Sequence, residues 1–520
     1  MPCSIWRRAG AVSAALTAAL AIAAAPPALA APALADARGE RPSASCAPLP
    51  PLPAAPPGAL DVTDFGARAD DDGDDSAAIL RALDALKPGQ WLRFAPGRYL
   101  HDRRLPIRTR GVVLDGRGAT LHATNPADMA LLVQQSGVQI LGFTLTAATD
   151  RRRAAPWESR IAVWRPQSER RAGLAAGHLS GVVIRGNRLL PSEDAPRGSP
   201  NSSSSAAIFV SGVRDFLVAE NTVVRSLSDG IHVTGGAHDG RVIGNTVRET
   251  GDDMIAVVSY LGDGMWTRAQ TQELADTLAQ RRDEKLVRNV LIADNDVEGQ
   301  YWGRGISVVG GERVTIRANR IANTAHAAAV YVMREQVYVT FGVRDVRIEG
   351  NRIERVQTDA APYNPLPLPQ RLRKTGHGAI EIGARVFSDE IALPPLREAL
   401  TVERVAVIGN RIERVAASGI RINEGFDERR TRSGERDLGG GRKGERIERE
   451  SRGGVVRDIV LRDNRFAQVR GSAINAFGEP ASLRLACAGN EDSGGPAASA
   501  LCADARVTEA RGAQLACDGR

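Results

Sequence analysis

The stretch that decides the fold is Ser228-Asp229-Gly230-Ile231-His232-Val233, which returns 24 residues later as Asp252-Asp253-Met254-Ile255-Ala256-Val257. Each segment places an aspartate two residues before an isoleucine, in a short run that alternates polar and apolar residues. A repeat of this length is typical of solenoids, in which each repeat forms one coil and stacks on the next. Asp229 and Asp253 are therefore predicted to occupy equivalent positions on neighbouring coils, with Asp252 beside them.

A second feature recurs along the chain, namely a short run of β-branched and apolar residues that stops at an asparagine. These asparagines are Asn187, Asn221, Asn245, Asn295, Asn319, Asn351, Asn410 and Asn464. Asn tolerates the left-handed backbone conformation and hydrogen-bonds to nearby backbone, so we expect it at the turn that ends each strand. Stacked over many coils, the asparagine side chains are predicted to form a ladder. A second short strand is expected about nine residues after each Asn.

Strands this short, with alternating polar and apolar residues, bury one face and expose the other to solvent. A coil of roughly 22–26 residues that consists of strand, turn and strand predicts an all-β parallel β-helix, a solenoid decorated with loop insertions. A β-sandwich is the alternative fold. It is disfavoured because the hairpin signal Asn-Gly is absent and the asparagine recurs in one register.

Longer steps between the asparagines indicate insertions. Residues 267–286 carry Leu274 and Leu278 among alternating charges, which predicts an amphipathic surface helix. Residues 362–367 are rich in proline and predict a loop. Residues 427–454 are dense in Arg, Glu and Gly and predict a mobile loop. Insertions on one side of a solenoid commonly build the walls of its binding face.

The N-terminal residues have the features of an export signal. Two arginines precede an Ala/Leu/Val run and a small-residue cleavage site, so residues 1–30 are predicted to be a secretory signal peptide. The apolar run is too short and too rich in alanine for a membrane anchor, and no other segment is long enough to span a membrane. Residues 31–58 are predicted to be a flexible Pro/Ala-rich lead-in. We therefore expect a secreted or periplasmic protein.

The folded part is predicted to comprise a parallel β-helix with an N-terminal cap over residues 59–490 and a Cys-containing C-terminal tail over residues 491–520. After removal of the signal peptide the cysteines are Cys46, Cys487, Cys502 and Cys517. An even number in an exported chain predicts disulfides, with three pairings open. Three of the four lie near the C-terminus, so we expect them to staple that end. Their spacing does not resemble a zinc site.

Composition limits the partners. The 520 residues carry a formal net charge of +7, and the cationic residues are almost all arginine. This balance is compatible with an anionic substrate and equally with an Arg-rich codon bias. Aromatic residues make up only 4 % of the chain, which leaves no base-stacking platform for nucleic acid. We expect a monomer with no nucleic-acid partner.

The start of the folded region carries the pattern of a cap. Asp61-Val62-Thr63-Asp64-Phe65-Gly66-Ala67 is followed by an acidic run, a short predicted helix over residues 77–86, and the strand Phe94-Ala95-Pro96-Gly97-Arg98-Tyr99-Leu100. This order resembles the start of secreted pectin-degrading β-helix enzymes, notably the polygalacturonases of glycoside hydrolase family 28 and related pectate-lyase-like proteins. The resemblance implies a right-handed parallel β-helix whose first coil is covered by the cap.

The resemblance continues into the coils, over roughly residues 61–332. Leu227-Ser228-Asp229-Gly230 and Gly251-Asp252-Asp253 are similar to the Asn-Thr-Asp-Gly and Gly-Asp-Asp segments of polygalacturonases, which also lie about one coil apart. The resemblance implies a glycosidase that uses these aspartates and needs no cofactor.

Two departures from that family concern the substrate. Arg304 stands where polygalacturonases have histidine. Their Arg-Ile-Lys segment, which holds the substrate carboxylate, is missing near residues 331–333, and Arg421-Ile422-Asn423 is a partial echo of it in a later coil. Hydrolysis of a glycosidic bond is therefore better supported than recognition of galacturonate.

Hydrolysis of a glycoside needs one protonated carboxyl for the leaving oxygen and one ionised carboxylate that activates water or attacks. Adjacent carboxylates supply both, because their repulsion raises one pKa. We predict that Asp252 is the acid and that Asp229 and Asp253 are the base pair. Stacking at ~4.8 Å would suggest retention of configuration. The resemblance implies inversion, so the stereochemical outcome stays open.

An outward row of polar residues extends from this cluster. His232 is predicted to share the row with Ser307, Tyr331, Glu381, Arg421 and Asn475, while Arg304 shares the row of the aspartates. A polar stripe along a solenoid suits an extended sugar chain, so we predict that His232, Arg304, Tyr331, Glu381 and Arg421 bind substrate. A plain solvated strand face is the alternative for the outer members.

The sequence thus predicts a polysaccharide-degrading glycoside hydrolase without a metal, acting on an extended glycan, uronic acids included. A polysaccharide lyase or uronan epimerase is the main alternative; it would bind Ca²⁺ through the carboxylates and use Arg304 as the base. A non-catalytic β-helix that binds glycans is the third hypothesis. For the aspartates themselves, turn capping or a calcium-stabilised turn is the structural alternative.

Overall fold

The computed structural model describes most of the chain between residues 46 and 493. The described residues are 46, 48–149, 155–165, 178–191, 206–262, 271–358, 363–368, 370–423, 430–437, 443–477 and 483–493. The predicted signal peptide lies outside them, as do the lead-in up to residue 45 and most of the C-terminal tail, with Cys502 and Cys517. Cys46 and Cys487 are both disulfide-bonded. No helix among the described residues is long and apolar enough to cross a membrane.

The described chain winds as a right-handed parallel β-helix, which confirms the predicted fold class. Three parallel sheets run along its length, and each full coil contributes one strand to each sheet. Val and Ile from all three sheets fill the interior as one continuous core. Short strands of this kind are stable only when they stack, because a single coil cannot bury its own apolar face.

The first sheet has 15 strands. They are Leu60–Asp61, Trp91–Arg93, Val113–Asp115, Gln139–Leu141, Leu179–Ser180, Val183–Arg185, Val213–Arg214, Leu217–Ala219, His238–Ile243, Arg288–Ala293, Gly311–Arg317, Val343–Glu349, Val402–Ile408, Val456–Arg462 and Leu485–Ala488. The second sheet has 12 strands. They are Gly97–His101, Ala119–Ala123, Thr144–Ala147, Arg188–Leu189, Thr222–Val224, Thr246–Arg248, Asp296–Glu298, Arg320–Thr324, Arg352–Val356, Arg411–Val415, Arg465–Val469 and Glu491–Asp492.

The third sheet has 13 strands and carries the aspartates of interest. Its parallel strands are Leu105–Ile107, Leu131–Val133, Ile161–Val163, Ala206–Ser211, Asp229–Thr234, Ile255–Val258, Ile306–Val309, Val330–Arg334, Ile380–Phe387, Ile420–Asn423 and Ile474–Phe477. The hairpin Arg430–Asp437 and Lys443–Gly453 is antiparallel and joins this sheet at Ile380–Phe387. The α-helices are Ser76–Ala85, Thr271–Lys285 and Pro394–Ala399, and the 3₁₀ helices are Val62–Phe65, Pro156–Glu158, Gln370–Leu372 and Glu390–Ala392.

The asparagine ladder is confirmed and continues to Asn490. Asn221 shows the repeating pattern: its Oδ1 accepts the backbone N–H and the Nδ2–H of Asn187, each at 3.0 Å. Its own Nδ2 donates to Oδ1 of Asn245 at 3.0 Å and to the backbone oxygen of Ile184 at 2.9 Å. Buried backbone groups at the turn are thus paired by side chains.

The backbone of the turn differs from the prediction. The left-handed residue is not the asparagine but the residue before it, for example Gly186 at φ 69°, Glu220 at φ 54° and Gly244 at φ 64°. The asparagine instead turns its amide inward, where it can bond to the coils on both sides. Glycine is used here repeatedly because it adopts a positive φ without steric cost.

Each coil has three strands where the sequence predicted two. The missed strand follows the asparagine directly, as Thr222–Val224 follows Asn221. Strands of the second sheet are only two to five residues long, too short to show a clear period of two. The predicted mobile loop at 427–454 is also wrong, because its described residues form the hairpin that pairs with the third sheet.

The cap and the first insertion agree with the sequence. Ser76–Ala85 covers the first coil and buries Ile79 and Leu83 in the main core. Thr271–Lys285 is the predicted surface helix, and its Leu274 packs into a second cluster with Leu396 of the helix Pro394–Ala399.

We predict that Asn295→Ala destabilises the fold by about 2–4 kcal/mol, because it removes the acceptor for Asn245 and the donor to Val242 in the buried ladder. The measurement is the free energy of unfolding in denaturant. Asn125→Ala, at an exposed turn where the side chain accepts from Ala127, is the matched control and should cost under about 1 kcal/mol. Equal costs for the two variants would contradict a structural role for the ladder.

Candidate active site

The structure places Asp229 and Asp253 in equivalent positions on adjacent coils, as predicted. Ile231 pairs with Ile255 in register, which puts the two aspartates side by side at the start of their strands. The backbone N–H of Asp253 donates to Oδ1 of Asp229 at 3.0 Å. Both residues are 4 % exposed. Two carboxyl groups are therefore held in contact at the edge of a low-dielectric core.

Asp252 completes the cluster and is more accessible than the other two. One carboxylate oxygen from each of the three aspartates lies within 4.8 Å of the others. Gly303 on the next coil makes this packing possible, because a Cβ there would lie 2.1 Å from Oδ1 of Asp252. The three predicted catalytic residues are therefore brought together in space.

The environment of Asp229 favours a proton. Burial, and after it the charge of Asp253, raise the pKa of Asp229 well above its ordinary value. Its Oδ2 lies 2.6 Å from Nδ1 of His232. Burial lowers the pKa of His232 to about 4, so the imidazole is neutral at pH 7 and can donate or accept at this contact.

His232 is fixed by stacking as well as by Asp229. Its ring lies nearly parallel to the rings of Phe209 and Tyr260, with centroids 5.5 and 6.5 Å away. Its Nε2 is buried and has no hydrogen-bond partner among the described residues. His232 is 2 % exposed and contacts Asp229, and its role in substrate binding stays a prediction.

Asp253 accepts hydrogen bonds from two donors on the next coil. Its Oδ2 accepts the hydroxyl of Ser307 at 2.5 Å, and its Oδ1 accepts the backbone N–H of Arg304 at 2.7 Å. The Nη1 of Arg304 is 3.7 Å from the same Oδ1. Asp253 therefore has a hydroxyl, a backbone N–H and a cation nearby, whereas Asp229 has a backbone N–H, a carboxyl group and a neutral imidazole.

Arg304 lies against the cluster and is held by two residues that the sequence did not single out as a pair. Its guanidinium forms an ion pair with Glu335 and lies 4.2 Å above the ring of Tyr331. Burial opposes its charge, but Glu335 and Asp253 raise the pKa of Arg304 well above its ordinary value. Arg304 therefore cannot readily give up its proton, which disfavours its role as the base of a lyase.

Glu335 is the residue at this cluster that sequence reasoning missed. It follows directly after the strand Val330–Arg334, where the repeat pattern no longer predicts which way a side chain points. The signal that would have found it is its position four residues after Tyr331, whose hydroxyl donates to Glu335 Oε1 at 2.8 Å.

The predicted outward row is confirmed by the strand register. Neighbouring members pair coil by coil in the order Phe209, His232, Ala256, Ser307, Tyr331, Glu381, Arg421 and Asn475. Glu381 and Arg421 lie three and four coils beyond Asp253 along this row. They are therefore separate from the aspartate cluster, at a distance that suits another part of an extended ligand.

Glu381 is buried within a polar cluster of its own. It accepts the backbone N–H of Gly378 at 2.8 Å and an amide N–H of Asn423, and Nε of Arg421 is 3.8 Å from Oε1. Burial outweighs these contacts and raises the pKa of Glu381 to about 7. Glu381 is therefore substantially protonated at neutral pH.

The three aspartates lie close enough to hold a shared cation, since one carboxylate oxygen from each lies within 4.8 Å of the others. Each oxygen of Asp253 also accepts a hydrogen bond, and Asp229 accepts an N–H and contacts His232. Ca²⁺ binds to several carboxylate and carbonyl oxygens at about 2.3–2.6 Å. A site without a metal stays a prediction.

Comparisons with known proteins agree with the fold. A family model described as Rhamnogalacturonase A/epimerase, pectate lyase-like matches residues 59–148, the stretch that contains the cap. This confirms the predicted likeness to pectate-lyase-like proteins, while membership of glycoside hydrolase family 28 is not confirmed. No curated protein matches the chain.

Solved structures share the fold at low identity. The catalytic domain of a GH87 alpha-1,3-glucanase in complex with nigerose has a TM-score of 0.50 and 12 % identity, over 87 % of this chain and 70 % of that one. The catalytic unit of the GH87 alpha-1,3-glucanase from Streptomyces thermodiastaticus has a TM-score of 0.49 and 14 % identity, over 88 % and 71 %. The A-module of the Azotobacter vinelandii mannuronan C-5 epimerase AlgE4 has a TM-score of 0.38 and 12 % identity, over 83 % of this chain and 95 % of that one. The chain is a parallel β-helix, and its residues 59–148 match a pectate-lyase-like family model.

We predict that Asp229→Asn makes the protein more stable than wild type at about pH 8. A carboxyl with a raised pKa in the folded state stabilises the fold only while it is protonated, so wild type loses stability as pH rises above the ordinary value of 3.8. Asn removes that dependence and keeps polar atoms for His232 and Asp253. The measurement is the free energy of unfolding between pH 4 and pH 8.

The matched control is Asp215→Asn, in a turn of the first sheet, where the aspartate side chain is 57 % exposed. Its stability relative to wild type should not change over the same pH range. If Asp229→Asn instead loses stability most strongly at high pH, the buried carboxyl is ionised in the fold and the analysis of its environment is wrong.

Proposed function

We propose that this protein is a secreted or periplasmic carbohydrate-active enzyme that hydrolyses a glycosidic bond in an extended polysaccharide. One observation carries the proposal: oxygens of three aspartates lie within 4.8 Å of one another, and two of these aspartates are buried and stacked in register. A cation lies beside Asp253, whereas a neutral imidazole lies beside Asp229. Such a cluster costs stability unless it does chemistry. A solvated strand face would have no reason to bury it.

The roles follow from accessibility and contacts. Asp252 is the most accessible of the three, so a glycosidic oxygen can reach it, and we assign it as proton donor to the leaving group. Asp253, surrounded by Ser307, Arg304 and the backbone, accepts the proton of the attacking water. Asp229 stacks on Asp253 and holds the pair to a single negative charge. No cofactor enters this scheme.

The rest of the polar row supports binding of several sugar units. Tyr331, Glu381 and Arg421 stand on successive coils in register, about 4.8 Å apart. Sugar hydroxyls and carboxylates are recognised by donors of this kind, and a straight row matches an extended chain. Arg304 and Tyr331 would contact the sugar nearest to the aspartates. We expect the enzyme to act as a monomer.

Hydrolysis is favoured over elimination because Arg304, the base of the lyase hypothesis, and Tyr331 beside it are poorly suited to remove a proton. Arg304 carries a raised pKa, and the phenol of Tyr331 also has its pKa raised well above the ordinary value, chiefly by burial. Neither side chain is prepared to remove a proton at neutral pH.

A panel of polysaccharides tests the proposal most directly. We expect new reducing ends without the ultraviolet absorbance of unsaturated products, and activity that survives a chelator. Unsaturated products, or complete loss of activity with chelator, would contradict hydrolysis and favour a calcium-dependent lyase. Binding of a glycan with no turnover at all would favour the non-catalytic hypothesis.

We predict that Asp252→Asn and Asp253→Asn each lower kcat by about 10²–10⁴-fold while the protein stays folded, because each removes a group that transfers a proton. Asp215→Asn, exposed and remote from the third sheet, is the matched control and should retain full activity. Unchanged turnover in both site variants would reject the assignment.

A further inference from the structure

Arg304 lies in a closed cluster with two other side chains. Its guanidinium pairs with Glu335 and lies 4.2 Å above the ring of Tyr331. The hydroxyl of Tyr331 donates to the same Oε1 of Glu335, at 2.8 Å. All three contacts are shielded, since the side chains of Arg304 and Glu335 are 21 % and 12 % exposed. The guanidinium therefore has little freedom to move.

The other side of Arg304 lies nearer to one of the two stacked carboxyls. Its backbone N–H donates to Oδ1 of Asp253 at 2.7 Å, and its Nη1 is 3.7 Å from that oxygen. Asp229 has the backbone N–H of Asp253 and the ring of His232 as its polar contacts, and the charge of Arg304 also acts on it. The cation is thus placed asymmetrically, next to one member of the pair.

We infer that Glu335 and Tyr331 are positioning residues that hold the Arg304 guanidinium against Asp253 and thereby decide which stacked carboxyl carries the proton. This inference rests on the proposed function, in which Asp253 must be ionised to accept the proton of water. Without the cation, Asp253 would lose one of the groups that favour its ionised form over that of Asp229.

Because Arg304 and Glu335 carry opposite charges, removing each charge should shift the ionisation of the Asp229–Asp253 pair in opposite directions. Removal of the Arg304 charge takes a cation away from the carboxyl pair, so both groups hold protons to higher pH. Glu335→Gln takes an anion away but keeps an oxygen that can accept from Arg304 and Tyr331, so Arg304 stays in place and both groups ionise at lower pH. Glu335→Ala also releases Arg304, so its midpoint should lie above that of Glu335→Gln. The other titratable groups that face Arg304 or Glu335 are Asp252, Tyr260, His326, Tyr338 and His377, and Glu381 faces Tyr331. They are unchanged in either variant, so the difference between the variants reports Arg304 and Glu335 alone.

The test is a pH titration of the aspartate carboxyl carbons by NMR on the full chain without substrate. We expect the midpoint of the Asp229–Asp253 pair to rise by roughly one pH unit in Arg304→Gln and to fall by a similar amount in Glu335→Gln. Arg304→Lys keeps the charge and should restore the wild-type midpoint. Tyr331→Phe keeps the ring and removes only the hydroxyl, so its midpoint should move less than that of Glu335→Gln.

Midpoints that shift in the same direction in both variants, or not at all, would overturn the inference and leave Glu335 with a purely structural role. Because the titration needs no substrate, its result is valid even if no glycan is cleaved. Failure of this inference can therefore be distinguished from failure of the proposed function. On an active substrate, the pH profile of kcat/KM should move in the same two directions. If Arg304→Gln does not fold, the Glu335→Gln arm alone still decides the outcome.

Discussion

The interaction on which the rest depends is the in-register pairing of successive coils in the third sheet. Because parallel strands stack without slippage, the repeat of 24 residues puts Asp253 against Asp229 at the edge of a dry core. A slip of one residue would turn both side chains to the other face. The asparagine ladder fixes this register at a second place in each coil, so architecture and chemistry depend on the same periodicity.

That stacking creates a problem which the surrounding residues resolve. Two buried carboxyls cannot both be charged at low cost, so one must keep a proton. The protein surrounds Asp253 with a hydroxyl, a backbone N–H and a guanidinium, and it gives Asp229 a neutral imidazole. The different roles of Asp229 and Asp253 therefore come from their environments and not from their residue type. The site is less stable than an apolar core would be.

Features that recur at a fixed spacing were predicted from the sequence, whereas features that occur once were missed. The solenoid, the ladder and the outward row all follow from a fixed spacing, which is visible in a single chain. The strand Thr222–Val224 was missed because three residues show no period, and the hairpin at 430–453 because its charged composition obscures strand alternation. Glu335 was missed for a related reason: it lies past the end of a repeat, and only the folded turn brings it to Arg304. The burial of His232 was likewise invisible, since residues from other coils cover it.

The central claim is that Asp229 is the protonated member of a stacked carboxyl pair at neutral pH. Infrared difference spectroscopy of wild type against Asp229→Asn and Asp253→Asn tests it most directly, because a protonated buried carboxyl has its own C=O stretching band. The account predicts such a band at pH 7 that is lost in Asp229→Asn. A wild-type spectrum without the band, or a band that persists in Asp229→Asn and disappears in Asp253→Asn, would contradict it.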